Sequence, residues 1–191
     1  MKFSDDTTMR LYRQTVEDFA LYTGKELSDA EMENLREAAG QMSAKMRAVR
    51  IVSASSVTKR DLQQRLIHKG EDEAQAREAV RWMSELNLLD DGEVAAQVVR
   101  KCVSRGYGLA RAKQMLYEKQ VPRKYWEEAL ADYPDMEEAI AEFLRGKLGS
   151  NPDEKDRKRA IDAALRRGHS YSQIRRALNS LDLAVDEFPE E

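Results

Sequence analysis

Leu66-Ile67-His68-Lys69-Gly70, followed by Glu78-Ala79-Val80, returns at an offset of 50 as Leu116-Tyr117-Glu118-Lys119-Gln120, followed by Glu128-Ala129-Leu130. A third copy stands at an offset of 98, where Leu165-Arg166-Arg167-Gly168 answers Ile67 to Gly70 and Ala177-Leu178 answers Ala79-Val80. The stretch that follows repeats as well: Glu93-Val94-Ala95-Ala96 with Val98-Val99-Arg100 matches Glu138-Ala139-Ile140-Ala141 with Phe143-Leu144-Arg145 at an offset of 45. The repeating unit is therefore helix, turn, helix, turn, helix. Self-similarity at such a period marks stacked helical units, none of which can bury its apolar face without a neighbour. The expected fold is all-α: an elongated, solenoid-like array of three tandem three-helix repeats preceded by an N-terminal helical extension. In residue numbers, the extension is 1–53, the first repeat 54–105, the second 106–150, and an incomplete third repeat with an acidic tail 151–191.

Composition fits helices and narrows the function classes. Four Pro, nine Gly and 7% aromatic residues suit an all-helical chain, and 41% hydrophobic residues suffice for real cores. No segment approaches the roughly 18 apolar residues that span a bilayer, and the N-terminus has no apolar run behind a basic stretch. The expected location is the cytoplasm, without membrane contact. Cys102 is the one cysteine, so an internal disulfide is excluded. It falls in the helical arc of Val94, Ala95, Val98 and Val99, which predicts a buried structural thiol.

The net charge of −3 conceals segregation along the chain. Residues 1–43 carry 5 basic against 9 acidic residues, residues 44–125 carry 17 against 10, and residues 126–191 carry 10 against 16. A basic middle between acidic ends predicts a bipolar surface whose central stripe meets nucleic acid or an acidic protein groove. The competing reading is that a chain with 35% charged residues forms such blocks without functional meaning.

Local signals place the elements. Residues 8–23 are predicted as a first helix ended by Gly24, and Ser28-Asp29-Ala30-Glu31 as the capping box of a second that reaches Ser53, with Gly40 as a possible bend. The first repeat begins near Thr58, and Gly70 offers a left-handed cap. Over 72–87, Ala76, Ala79, Val80, Met83 and Leu86 share one face. Asp90 and Asp91 precede Glu93, so capping explains the paired carboxylates without a metal or a catalytic role. Gly106-Tyr107-Gly108 permits a sharp turn and lets another backbone come close. Helices are expected near 108–119, 122–132 and 135–148, then, past a joint at Ser150-Asn151-Pro152, near 153–167 and 170–181. His68 and His169 each sit near a helix end, where a cap or solvent contact accounts for them.

Leu89-Asp90-Asp91, then Ser104-Arg105-Gly106-Tyr107-Gly108, Leu109-Ala110-Arg111-Ala112-Lys113-Gln114-Met115-Leu116 with Lys119, and finally Leu165-Arg166-Arg167-Gly168-His169-Ser170 stand in an order and spacing that resembles the RecX family, regulators of the RecA recombinase. The resemblance covers about residues 44–182. It implies an extended chain of three-helix units that lies in the groove of the RecA filament on single-stranded DNA and limits filament growth, ATP turnover and strand exchange. It implies no catalytic site, no cofactor and no metal. The partner it implies is the RecA filament on single-stranded DNA, with contact to the DNA itself left open between direct and RecA-borne; the expected state is monomeric. Gln120 and Val121 depart from the family's usual Gly-Ile, Leu109 stands where proline is common, and the third repeat lacks a third helix. The alternative reading is a helical repeat adaptor or DNA-binding protein that acts without RecA.

Between Val98 and Lys124 there are eight basic residues, Arg100, Lys101, Arg105, Arg111, Lys113, Lys119, Arg123 and Lys124, against the single acid Glu118. With Tyr107 available to stack on a base or a side chain, they form the candidate binding surface. Lys155, Arg159 and Arg166 share a helical arc in the last repeat and form a second candidate. Asp90, Asp91, Gly106 and Gly108 are expected to shape the turns between helices. Trp82, at the margin of its apolar stripe, is expected to be half-buried packing.

Overall fold

Side-chain caps open five of the helices. The computed structural model describes residues 1–4, 6–149 and 152–181; the expected joint at Ser150-Asn151 and the acidic tail lie outside them. Helix α2 (Asp29–Ala54) opens on the Ser28–Glu31 capping box, and α3 (Lys59–His68) on the Thr58 hydroxyl, which accepts the Asp61 amide. Asp72 caps α4 (Glu73–Glu85), Asp153 caps α9 (Glu154–Arg166), and a Ser170–Gln173 box opens α10 (Tyr171–Asn179). Such a cap satisfies amides that no preceding turn can reach and is worth about 1 kcal/mol. Between these lie α5 (Asp91–Ser104), α6 (Leu109–Glu118), a 3-10 turn at Arg123–Tyr125, α7 (Trp126–Leu130) and α8 (Glu137–Leu148). Among the described residues the chain is all-α, apart from an isolated bridge between Lys2 and Thr8.

That bridge shortens the first helix. Where a helix over 8–23 was expected, α1 covers only Arg13–Asp18. The Phe3 and Met9 amides donate to the Thr7 and Met1 carbonyls, which commits the residues ahead of α1 to an extended pairing, and Ala20 turns to a φ of 44° just beyond it.

The ends of five helices share one turn. After α3, the Gly70 amide donates to the Ile67 carbonyl and the Glu71 amide to Leu66. The same pair of bonds follows α4 (Asn87 to Ser84, Leu88 to Met83), α5 (Gly106 to Val103, Tyr107 to Cys102), α6 (Gln120 to Tyr117, Val121 to Leu116) and α9 (Gly168 to Leu165, His169 to Ala164). This is the Schellman arrangement, which needs a left-handed residue at its pivot. The pivots are Gly70, Asn87, Gly106, Gln120 and Gly168, all with positive φ. Leu86, expected in the apolar stripe of α4, is instead exposed, because α4 ends at Glu85 and the Asn87 pivot turns the chain away.

The chain forms two compact units, Met1–Asp90 and Asp91–Glu191. In the first, Ala44 and Ala48 of α2 meet Ala76, Ala79, Val80 and Met83 of α4 and Leu62 and Leu66 of α3. Small side chains on α2 let α4 come close. Gly40 does not interrupt α2; it makes room for Gln75, whose Cδ would stand 2.5 Å from a Cβ there. Trp82 is half-buried against this core, as expected. In the second unit, Val94, Ala95, Val98, Val99 and Cys102 of α5 pack on Ala112 and Leu116 of α6 and on Trp126 of α7. A further core joins Ile140, Ala141, Leu144 and Leu148 of α8 to α9 and α10.

The packed triplets are thus α2–α3–α4, α5–α6–α7 and α8–α9–α10, one helix ahead of the sequence repeat. The last helix of one repeat closes the core of the next. This explains why the final repeat manages with two helices: α8 supplies its third. It also gives the N-terminal extension a structural task, since α2 completes the first core.

Candidate partner-binding site

The centre of the second unit is a backbone-to-backbone joint. The Arg105-Gly106-Tyr107-Gly108 turn after α5 meets the Arg167-Gly168-His169 turn after α9. The Gly108 amide donates to the Arg167 carbonyl (2.9 Å) and the Ala110 amide to Gly168 (3.3 Å). In return, Arg167 Nη2 donates to the Arg105 carbonyl and His169 Nε2–H to the Gly106 carbonyl (3.1 Å). A Cβ on Gly108 would stand 2.5 Å from the His169 nitrogen and closer still to the Gly168 carbonyl; one on Gly168 would lie 2.6 Å from Arg111 Cβ. The two glycines are therefore required for close approach, as the sequence suggested for Gly108. Gly106, at a φ of 62°, serves as the pivot.

Side chains lock the joint. Tyr133 Oη donates to the Tyr107 carbonyl at 2.7 Å, and burial pushes this phenol up to about 12, so it remains a donor at neutral pH. The Arg167 guanidinium lies over the rings of Tyr107 (5.0 Å) and Phe143 (4.5 Å). His169 is 4% exposed, which corrects the expectation of a cap or solvent contact. Burial lowers its pKa, the bond to Gly106 opposes that, and the nearby Arg167 charge adds to it. Cys102 is fully buried, as expected, with its thiol against Met115 Sδ at 3.4 Å; burial raises its pKa despite Arg111, Lys101 and Arg105.

The structure sorts the candidate cations into distinct states. Arg100 pairs with Glu93 (2.7 Å), Arg111 with Glu118 (3.2 Å) and Arg159 with Asp156 (3.7 Å). Arg123 lies 3.8 Å over the Trp126 ring and Lys124 4.7 Å over Tyr125. Lys119 is half-buried and already engaged. Lys101, Arg105 and Lys113 are exposed and enter no ion pair among the described residues; the same holds for Lys155 and Arg166. Asp90 is exposed and Asp91 buried at the start of α5, both already engaged.

Two choices made from the sequence are reassigned. Tyr107, expected to be available for stacking, already faces Arg167. The accessible ring is Tyr117 on α6, which is 71% exposed and one helical turn from Lys113. Arg166 is exposed, while its neighbour Arg167 turns into the joint. Sequence inspection also missed a groove of about 680 Å³ beside α5, where Arg100 and Ser104 face Tyr125 and Ala129 across an apolar floor of Val99 and Val103. Glu128 and Asp132 line the same groove, so Arg100 stands on a mixed rather than a uniformly basic wall.

No family model matches the chain. Individual proteins do. It is 31% identical over 144 residues to the regulatory protein RecX of Vibrio parahaemolyticus, a match that covers 74% of this chain and 93% of that one. It is 26% identical over 190 residues to the regulatory protein RecX of Clostridioides difficile, covering 96% and 89%. Among solved structures, a regulatory protein RecX superposes with a TM-score of 0.66 at 19% identity, covering 85% of this chain and 83% of that one. RecX from Lactobacillus salivarius superposes at 0.63 and 22% identity, covering 76% and 99%. These superpositions match the all-helical fold described above.

Proposed function

Because this chain belongs to the RecX family of regulatory proteins, we propose that it binds the RecA filament on single-stranded DNA and restrains ATP turnover, filament extension and strand exchange. It works by occupying a groove of the filament and assigns no chemistry to its own side chains. The observation that carries this reading is the state of Lys101, Arg105 and Lys113. Among the described residues all three are exposed without an ion pair, and they lie in or beside a turn that backbone bonds hold in place. Unpaired cations on a rigid turn have no charge partner to give up on binding. They steer toward phosphates or toward acidic side chains lining a filament.

The test is a titration of RecA ATPase on single-stranded DNA. The wild-type chain lowers the rate at stoichiometric amounts, and Arg105→Glu with Lys113→Glu removes the effect while leaving the melting temperature nearly unchanged, since exposed charges contribute little to stability. A matched reversal of Arg10 and Arg36 in the acidic first block retains the effect. Equal behaviour of the two double variants refutes the surface assignment. No effect of the wild-type chain on RecA, together with tight binding to a specific duplex in high salt, refutes the regulator reading in favour of a RecA-independent DNA-binding protein.

A further inference from the structure

The first unit carries a basic cleft that the sequence pattern did not single out. The C-terminal half of α2 and the end of α3 frame an open cleft of about 470 Å³ lined by Arg47, Arg50, Ser55, Arg65 and Lys69 over an apolar floor of Ile51 and Ala54. No carboxylate lines it. Two carboxylates behind the wall hold the arginines in place. Glu71, nearly buried, accepts Arg47 Nε at 2.7 Å and the Ser43 hydroxyl at 3.0 Å, and Asp61 accepts Arg65 Nε at 2.8 Å. The C-terminal end of α3 would itself repel an anion, but Arg47 Nη1 covers the Lys69 carbonyl at 2.7 Å and removes that acceptor from the wall. Among the described residues Arg50 and Lys69 have no carboxylate partner; Arg50 reaches the Tyr12 hydroxyl, at 3.4 Å.

We infer that this cleft binds phosphodiester groups of a single-stranded nucleic-acid backbone, with Arg50 and Lys69 as mobile contacts and Arg47 and Arg65 as oriented ones. The charges support this assignment. Four cations against two carboxylates leave an excess of two, carried by the pair without ion partners. A guanidinium fixed through Nε still offers its outer edge to a phosphate. The inference deepens the proposed function and rests on it only for the identity of the nucleic acid, since it gives the first unit its own hold on the strand.

The experiment uses the full chain and a fluorescein-labelled oligothymidylate, titrated across a salt series. Arg50→Gln with Lys69→Gln should preserve the thermal melt, weaken binding, and reduce the salt slope by about 1.4, the value for two lost contacts to a single strand. Arg10→Gln with Arg60→Gln, both outside the cleft, should leave the slope unchanged. An oligothymidylate with an uncharged methylphosphonate backbone should bind wild type and cleft variant alike. An unchanged slope in the cleft variant overturns the inference, as does an equal loss in the control pair. If the cleft variant binds the oligonucleotide normally but no longer restrains RecA, the cleft faces an acidic protein surface and the phosphate assignment is wrong. RecA ATPase measured on the same preparations separates the two claims: a chain that binds DNA through the cleft yet leaves RecA untouched sinks the regulator reading alone.

Discussion

Alanine at Gly108 isolates the contribution of the joint between the two glycine turns. Gly108 has a φ of −80°, open to any residue, so the substitution carries no backbone strain. Its cost is contact alone. The added methyl meets the backbone of Gly168 and His169, which cannot rotate aside as a side chain would. Overpacking of this kind costs about 1–3 kcal/mol. Forcing the turns apart also stretches the Gly108–Arg167 and Ala110–Gly168 bonds, each worth about 1 kcal/mol net. The expected loss is about 4 kcal/mol, a large part of the roughly 5–15 kcal/mol that holds a domain folded. Two comparison glycines have nothing within 4 Å of a new Cβ. Gly146 lies inside α8, where alanine should stabilise by about 0.5–1 kcal/mol. Gly70 has a φ of 90°, where alanine should cost about 1–2 kcal/mol from strain alone. Urea unfolding followed by far-ultraviolet circular dichroism and by tryptophan fluorescence reads all three, with Trp82 reporting the first unit and Trp126 the second. A Gly108→Ala chain within about 1 kcal/mol of wild type refutes the close-approach argument. So does an equal loss at Gly70 and Gly108.

Gln120 occupies a left-handed pivot that glycine holds after α3 and α9, so Gln120→Gly should stabilise the second unit by up to about 1 kcal/mol, read as a raised urea midpoint. His169 has a folded pKa below its unfolded value; the unfolded chain takes up the proton first, so its contribution to stability is present above the usual histidine range and is lost as pH falls through it. Urea midpoints between pH 7 and pH 5 should therefore decline, and His169→Gln should flatten that decline; equal slopes would show that the imidazole does not titrate with folding. Cys102, buried with its thiol pKa raised, should react with a thiol reagent only as the second unit unfolds, and rapid labelling of the native chain would contradict the packing described.

The sequence by itself determined the helical fold class and most of the punctuation. Ser28 with Glu31 was legible because both partners of the cap lie within three residues. Gly70 was legible as a pivot because its conformation follows from the glycine itself. The buried stripe of α4 up to Met83 and the buried Cys102 followed from helical period alone. Tertiary structure decided the rest. Whether Arg166 or Arg167 turns inward depends on the Arg105 carbonyl, 62 residues away, and on the rings of Tyr107 and Phe143. The same contacts occupy Tyr107 and leave Tyr117 as the accessible ring on α6. The cleft of Arg47, Arg50, Arg65 and Lys69 draws its walls from two helices and is held by Glu71, whose role as a buried anchor has no local signature. Nor does the repeat state that α2 of the extension closes the first core, or that α5 and α8, each from the preceding repeat, close the next two. A periodic pattern fixes which face of a helix is apolar, but the neighbour that covers that face is chosen by turns and contacts many residues distant.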